Sequence, residues 1–418
     1  MDLEVVTIGT ELLLGFTIDS NGAELGQALA AIGVRVVRRT AVADEPEAIR
    51  SAVSEALSRT GAVVTTGGLG PTRDDVSKKV VADLFQWPLR FDEAIWEALV
   101  ERFRQMGREP SPANRVQAEV PEGANILPNR WGTAPGLWFD GPPGLVIMLP
   151  GVPNEMRKLT QHEVVPRLAT RLGSVEGSVV RSRLLRTTSI PESTLAQRLD
   201  GLEDGLAPLT LAYLPGVTGV DLRLTAWRMA PAEADTRLEQ AAQALRATLG
   251  PLVYGEGGDD LAALLLDALR QRGLRFAAGE SCTGGLLGGR ITAVPGSSDV
   301  FAGSAVCYDN RAKVELLGVD QGLLDRHGSV SQEVALAMAQ RAAERFGTGT
   351  AIGITGIAGP GGATEGKPVG TVCFGWVLND RAEPGRYVFL GGRQEIRERA
   401  VQFAMHRLWR MLEETPSR

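Results

Sequence analysis

Three segments carry the residues best suited to hydrolytic chemistry: Gly279-Glu280-Ser281-Cys282-Thr283-Gly284-Gly285, Gly296-Ser297-Ser298-Asp299 and Cys307-Tyr308-Asp309-Asn310-Arg311-Ala312-Lys313. A serine hydroxyl becomes a nucleophile when a base within reach takes its proton. No histidine stands near these segments, so a serine–lysine pair fits better than a Ser–His–Asp triad. Such a lysine must be neutral near pH 7. That means removing about 4 kcal/mol of its preference for the charged form, by burial or by a like charge. Arg311 and Arg393 are candidate sources of that charge. Each residue also has a structural reading. Ser298 can cap a turn, Lys313 can lie on an exposed helix face, Cys282 can be a small buried residue, and Tyr308 can pack at a strand end. The clustering of the motifs, rather than any one residue, favours chemistry.

A second glycine-rich loop, Thr65-Thr66-Gly67-Gly68-Leu69-Gly70-Pro71-Thr72-Arg73-Asp74-Asp75, carries different groups. Its backbone amides and Arg73 suit phosphate oxygens, and Asp74 with Asp75 suits a divalent cation bridging them. A pyrophosphate needs that neutralisation before water can attack it. Asp74 can equally cap the next helix while the glycines make a tight turn, and both readings stand. Glu11 and Glu155 join a metal site only if their loops converge. The spacing matches neither a Walker loop nor Gly-x-Gly-x-x-Gly. Both glycine loops open a predicted helix, where unpaired N–H groups form an anion cradle. One chain thus offers two candidate active sites.

The elements that must position these loops alternate. Strands are expected at 3–8, 34–39 and 62–66, with helices at 20–32, 45–58 and from 74 or 75. This alternation implies a parallel sheet covered on both faces, with chemistry at the carboxyl ends of its strands. Gly9-Thr10-Glu11 and the 67–75 loop then share one edge. Gly132-Thr133-Ala134-Pro135-Gly136 and Leu149-Pro150-Gly151-Val152-Pro153-Asn154-Glu155-Met156 look functional as well. Residues 174–255 read as a small α+β module. It has strands at 182–187 and 220–226, a capping box Ser189-Ile190-Pro191-Glu192 opening a helix to 199, and a helix over 231–249. Residues 255–260 read as a linker. Beyond 261 the α/β pattern resumes, with strands at 274–278, 300–308, 350–354, 369–378 and 386–390 and a final helix near 394–414.

Composition sets limits. The 418 residues suffice for two to four domains. A formal charge of −6 argues against broad nucleic-acid binding, which needs a basic face. Three scattered cysteines and three scattered histidines fit a reducing cytoplasm and leave oxygens as the ligands of any metal. No apolar run reaches the ~18 residues of a membrane span, and the first residues do not resemble a signal peptide.

Taken in order, these motifs resemble the competence/damage-inducible CinA family over essentially the whole chain. The resemblance implies two α/β domains joined by a KH-like module: a MoaB/MogA-like domain over 1–172, the module over 173–255, and an amidase domain over 256–418. It implies that the rear domain deamidates nicotinamide mononucleotide. The front domain would cleave the pyrophosphate of ADP-ribose with a divalent metal such as Mg2+, and with K+ as in some members of the family. The amidase dyad would be Ser298 and Lys313, with Ser281 the rival nucleophile and Tyr308 beside them. Rear substrate contacts would come from Gly279, Glu280, Thr283, Gly284, Asn310, Thr355, Gly356 and Arg393. In the front they would come from Gly9, Thr10, Glu11, Thr66, Gly67, Gly68, Gly70, Thr72, Gly132, Thr133, Pro150 and Gly151, with Asp74, Asp75 and Glu155 as metal ligands. Lys78-Lys79 stands where the family often has a carboxylate, which weakens the expected metal site. Gly216-Val217-Thr218-Gly219 matches a KH loop only superficially and reads as a hairpin turn, so nucleic acid is not an expected partner. A cytoplasmic homodimer is implied. Alternatives are a front domain that binds molybdopterin without hydrolysis, and a DNA-associated regulator.

Overall fold

The strand Ala62–Thr66 is buried at every position and lies inside a six-stranded sheet. The computed structural model describes residues 1–172 and 179–415. The expected boundary at 172–173 abuts 173–178, which fall outside the described residues. The chain divides into two compact units, Met1–Arg181 with Ala226–Asp235, and Ser182–Thr225 with Thr236–Arg418.

In the first unit the strand order is Arg35–Val42, Asp2–Ile8, Ala62–Thr66, Gly144–Leu149, Gly136–Gly141, Asn125–Leu127. The first four are parallel, as expected from the alternation. The fifth runs against them, and the sixth, antiparallel to the fifth, runs with them again. Only Pro142-Pro143 separates Gly141 from Gly144, and so short a link cannot cross over, so Gly136–Gly141 runs antiparallel. Neighbouring residues along each central strand point to opposite faces. Val5, Val64 and Ile147 pack with Leu25 and Leu29, whereas Val6, Val63 and Val146 pack with Ile49 and Val53. Both faces are thereby covered.

This topology gathers loops. The strands ending at Ile8, Thr66 and Leu149 share one edge, and Leu137 pairs with Met148, so the 132–135 loop arrives at that edge too. Gly67 has φ 111°, and a Cβ there would lie 2.2 Å from the Ile8 carbonyl oxygen. The helix after this loop spans Ser77–Phe85, later than the expected start at 74 or 75.

In the second unit a five-stranded sheet runs Phe301–Val306, Phe276–Glu280, Thr350–Gly356, Thr371–Leu378, Arg381–Val388. The first three strands are parallel to one another, Thr371–Leu378 runs against them, and Arg381–Val388, antiparallel to Thr371–Leu378, runs with them again. Leu261–Gln271 and Arg393–Glu414 cover one face through Leu265, Ala400 and Met405, and Gln332–Phe346 covers the other through Met338 and Ala339. The middle sheet is ordered Thr210–Pro215, Val220–Met229, Val179–Thr187, Val253–Glu256. Gly216 N donates to Gly219 O at 2.8 Å between two antiparallel strands, which is the expected hairpin turn. Glu256 ends a strand and Asp260 caps Leu261–Gln271, so of the expected 255–260 linker residues 257–260 lie outside helices and strands. Among the described residues no helix is long and apolar enough to cross a membrane.

Gly67→Ala is expected to destabilise the front domain by about 3 kcal/mol, because it adds both backbone strain and a clash with a carbonyl that cannot retreat. Denaturant unfolding of the full chain checks this. An unchanged transition would contradict the packing described.

Candidate functional site

In the rear sheet Phe276–Glu280 and Phe301–Val306 are adjacent and parallel, so the residues that follow each strand meet at the carboxyl edge. Ser281 follows the first strand, and Cys307 to Lys313 follow the second. Lys313 is 1% exposed, and its Nζ lies 3.1 Å from Ser281 Oγ. The same amine reaches the carbonyl oxygens of Cys307 at 3.2 Å and of Tyr308 and Asp309 at 3.4 Å. Burial pushes Lys313 below the usual lysine range, while the Cys307 thiol and Asp309 pull it back. Arg311 is exposed and pairs with Glu315, so it does not supply the repulsion expected of it.

Ser298 is the principal correction. It lies in a short turn, Ser297–Asp299, just before the strand Phe301–Val306, and it is exposed. That is the amino end of the strand whose carboxyl end leads to Lys313. A six-residue strand separates the two ends by about 17–20 Å. The structure therefore pairs Lys313 with Ser281 instead.

Ser281 and Lys313 open on a cavity of about 180 Å3 that is also lined by Tyr308, Asn310, Thr355, Gly356 and Arg393. Arg393 Nη2 donates to Tyr308 Oη at 2.7 Å and Nη1 to Gly359 O at 2.6 Å, which holds a cation at the wall. Thr355 Oγ1 donates to Ser329 O. Ser329 and Val330, which also line the cavity, were missed by the sequence reading. Their signal was a Gly-Ser pair shortly before the helix Gln332–Phe346.

Four other expectations fail here. Glu280 is fully buried, and its carboxylate accepts from the amides of Leu287 at 3.0 Å and Gly288 at 2.8 Å and from Ser304 Oγ at 2.7 Å. The first-turn amides read as an anion cradle are thus occupied by the chain's own carboxylate, which acts as a helix cap. Gly279 backs onto Leu317 and Met338 rather than the cavity. Thr283 is fully buried with its Oγ1 unpartnered, and its carbonyl accepts from Arg397. Neither Thr283 nor Gly284 lines the cavity.

At the front edge the loops do converge. Thr66 Oγ1 donates to Pro150 O, and Asn21 Nδ2 donates to Thr66 Oγ1 and to Gly151 O. Gln117 donates to Thr133 Oγ1. Glu155 accepts from Asn129, is pushed up by burial, and packs so closely on Gly132 that a Cβ there would meet its carboxylate. Asn21, Asn129 and Gln117 were missed; isolated amides carry no motif. Gly9 donates its amide to Val42 O, and Thr10 donates to Asp44 rather than facing a ligand. Asp75 accepts from Thr72 N and Oγ1, which closes the turn at Gly70, while Asp74 is exposed and caps nothing. Gly68 faces the buried Ser77 hydroxyl. Glu11 is exposed.

Among the described residues no group of three or more His, Cys, Asp or Glu could hold a metal ion. The set Asp74, Asp75 and Glu155 therefore does not form a metal cage. Lys78, read as a lost acidic ligand, is a buried amine on the Val116 carbonyl, pushed down to about 8 by burial.

Glu280→Ala is predicted to cost about 2 kcal/mol or more, since two amides and a hydroxyl lose a buried charged partner; denaturant unfolding measures it. Lys313→Met is predicted to gain stability relative to the parent at pH 7 more than at pH 10. The folded amine titrates below its unfolded value of 10.5, so the charged form penalises the parent at low pH and the penalty fades as pH rises. A thermal-shift difference independent of pH would contradict a depressed amine.

Residues 4–170 match a probable molybdopterin binding domain, 182–255 the damage-inducible protein CinA KH domain, and 258–412 the CinA C-terminal domain. A CinA-like protein of Gemmatimonas aurantiaca is 50% identical over 98% of this chain and 96% of its own length. A putative competence-damage inducible protein of Bacillus pumilus is 37% identical over 99% and 98%. A solved competence/damage inducible protein from Agrobacterium tumefaciens is 37% identical, covering 37% of this chain and 93% of its own, with a TM-score of 0.36. With such identities along nearly its full length, the chain belongs to the CinA family.

Proposed function

We propose that the rear domain hydrolyses the carboxamide of nicotinamide mononucleotide, with Ser281 as nucleophile and Lys313 as base. The observation that carries this reading is the 3.1 Å approach of a buried amine to a buried hydroxyl at the wall of a cavity. When Lys313 is neutral its lone pair accepts the Ser281 proton as Oγ bonds to the amide carbon. The resulting ammonium returns a proton to the leaving nitrogen, which departs as ammonia. Water then attacks the acyl ester with the same amine as base, giving nicotinate mononucleotide. Arg393 is the cation on the cavity wall suited to the substrate phosphate, a role that falls to it because Glu280 fills the helix terminus.

For the front domain the proposed activity is hydrolysis of the ADP-ribose pyrophosphate at the edge where the 67–75, 132–136 and 150–156 loops meet. The convergence of Thr66, Asn21 and Gly151 supports a ligand edge there. Release of AMP from ADP-ribose by the full chain tests it, and pterin binding without that release would favour the binding-module alternative.

Ammonia release from nicotinamide mononucleotide is expected to fall by at least about 1000-fold in Ser281→Ala and in Lys313→Met, and to persist in Ser298→Ala. Full loss in Ser298→Ala with activity retained in Ser281→Ala would reverse the assignment. The rate should rise with pH through the depressed Lys313 value, because only the neutral amine is a base. A rising limb centred at 10.5 or above would contradict it.

A further inference from the structure

Ser189 does not form the capping box its sequence suggests. The helix Glu192–Glu203 has no side-chain cap bond, and Ser189 Oγ lies 3.2 Å from His406 Nδ1. The strand Val179–Thr187 ends two residues earlier, so Ser189 occupies a sharp strand-to-helix turn, with φ 62°. That left-handed backbone is uncommon for a serine and is retained only where surroundings impose it. His406 belongs to the final helix, is 6% exposed, and places Nε2 2.9 Å from the Pro251 carbonyl oxygen. A carbonyl can only accept, so Nε2 carries the ring proton. In the neutral imidazole the Nδ1 lone pair is left facing the serine hydroxyl. Burial pushes His406 down to about 4, which keeps the ring neutral at ordinary pH.

Beside Ser189 lies a cavity of about 370 Å3, larger than the one at Ser281. Its walls include Ile190, Val217, Tyr387, Phe389 and Phe403, and the three aromatic rings pack together with centroids 4.7–5.8 Å apart. Arg399 also lines it, but its guanidinium donates to the carbonyls of Val217 and Leu390. Glu192 stands exposed at its border, and the remaining walls suit an uncharged, largely apolar ligand.

We propose that this cavity is a second hydrolytic site, in which Ser189 takes the acyl group of a small apolar carboxylic ester and His406 serves as its base. A serine held at positive φ between strand and helix, facing a base with a fixed tautomer, is the arrangement that exposes a nucleophile. Ser189 Oγ bonds to the ester carbonyl carbon as its proton passes to His406 Nδ1. The carbon–oxygen bond to the alcohol breaks, and that oxygen takes the proton from Nδ1. Water then attacks the acyl-serine with Nδ1 again accepting the proton. This releases the carboxylic acid and restores the hydroxyl, with no co-reactant besides water.

The test uses the full chain carrying Ser281→Ala, so that the proposed amidase serine cannot contribute. It is treated with an alkyl fluorophosphonate and mapped by peptide mass spectrometry, and p-nitrophenyl butyrate hydrolysis is followed in parallel. The expected result is a phosphonyl adduct on Ser189, and ester turnover that falls at least about 100-fold in Ser189→Ala. A folded His406→Gln chain should be labelled about 100-fold more slowly. Absence of an adduct on Ser189 under excess probe overturns the proposal. So does labelling of the folded His406→Gln chain at the parent rate. The adduct is read on a chain with both Ser189 and His406 intact, so the outcome does not depend on either variant folding.

Discussion

A buried lysine within hydrogen-bond reach of a buried serine is the constraint on which the rear domain depends. Desolvating an amine is unfavourable, and an ordinary fold avoids it or pairs the charge with a carboxylate. Here Nζ meets carbonyl oxygens and one hydroxyl, and its nearest carboxylate influence, Asp309, is spent partly on capping the turn at Ala312. The amine is held by the backbone of 307–309 rather than neutralised by an acid. Such an environment favours a base that can exchange its proton with Ser281.

The second constraint is Glu280, immediately before Ser281. Its carboxylate fixes the helix Leu286–Thr292 and ties it to Ser304 on the neighbouring strand, so the loop carrying Ser281 is anchored at its carboxyl end. Ser281 N donates to Ile354 O and fixes the other end. This arrangement excludes a phosphate from that helix terminus. It leaves Arg393, held by Tyr308 and Gly359, as the cation of the cavity wall. The fold thus supplies rigidity at Ser281 and a cation across the cavity.

Much of the fold was legible because buried parallel strands read as short, mostly apolar runs; 62–66 and 350–354 are examples. The antiparallel hairpin 136–149 was less visible, since only the two-residue Pro142-Pro143 connection betrays its direction. Lys313, Tyr308, Thr355 and Arg393, which line one cavity, were named from the motifs and the family resemblance. Which of Ser281 and Ser298 lies beside Lys313 was not read correctly, although the sheet rule bears on it: Ser281 follows a strand and Ser298 precedes one. Ser189 read as a cap because a local motif says nothing of His406, 217 residues away. Glu280 read as a ligand because a carboxylate at a helix start looks the same whether it meets substrate or its own backbone. Local patterns identify groups; only the sheet order says which of them meet.

The proposed amide hydrolysis passes through a covalent bond between Ser281 and the carboxamide carbon of nicotinamide mononucleotide. The most direct measurement is acid-quenched mass spectrometry of the full chain during turnover of nicotinamide mononucleotide, with the adduct mapped to a peptide. A nicotinate mononucleotidyl ester on Ser281 is the predicted result. The same ester on Ser298, with Ser281 unmodified, would contradict it.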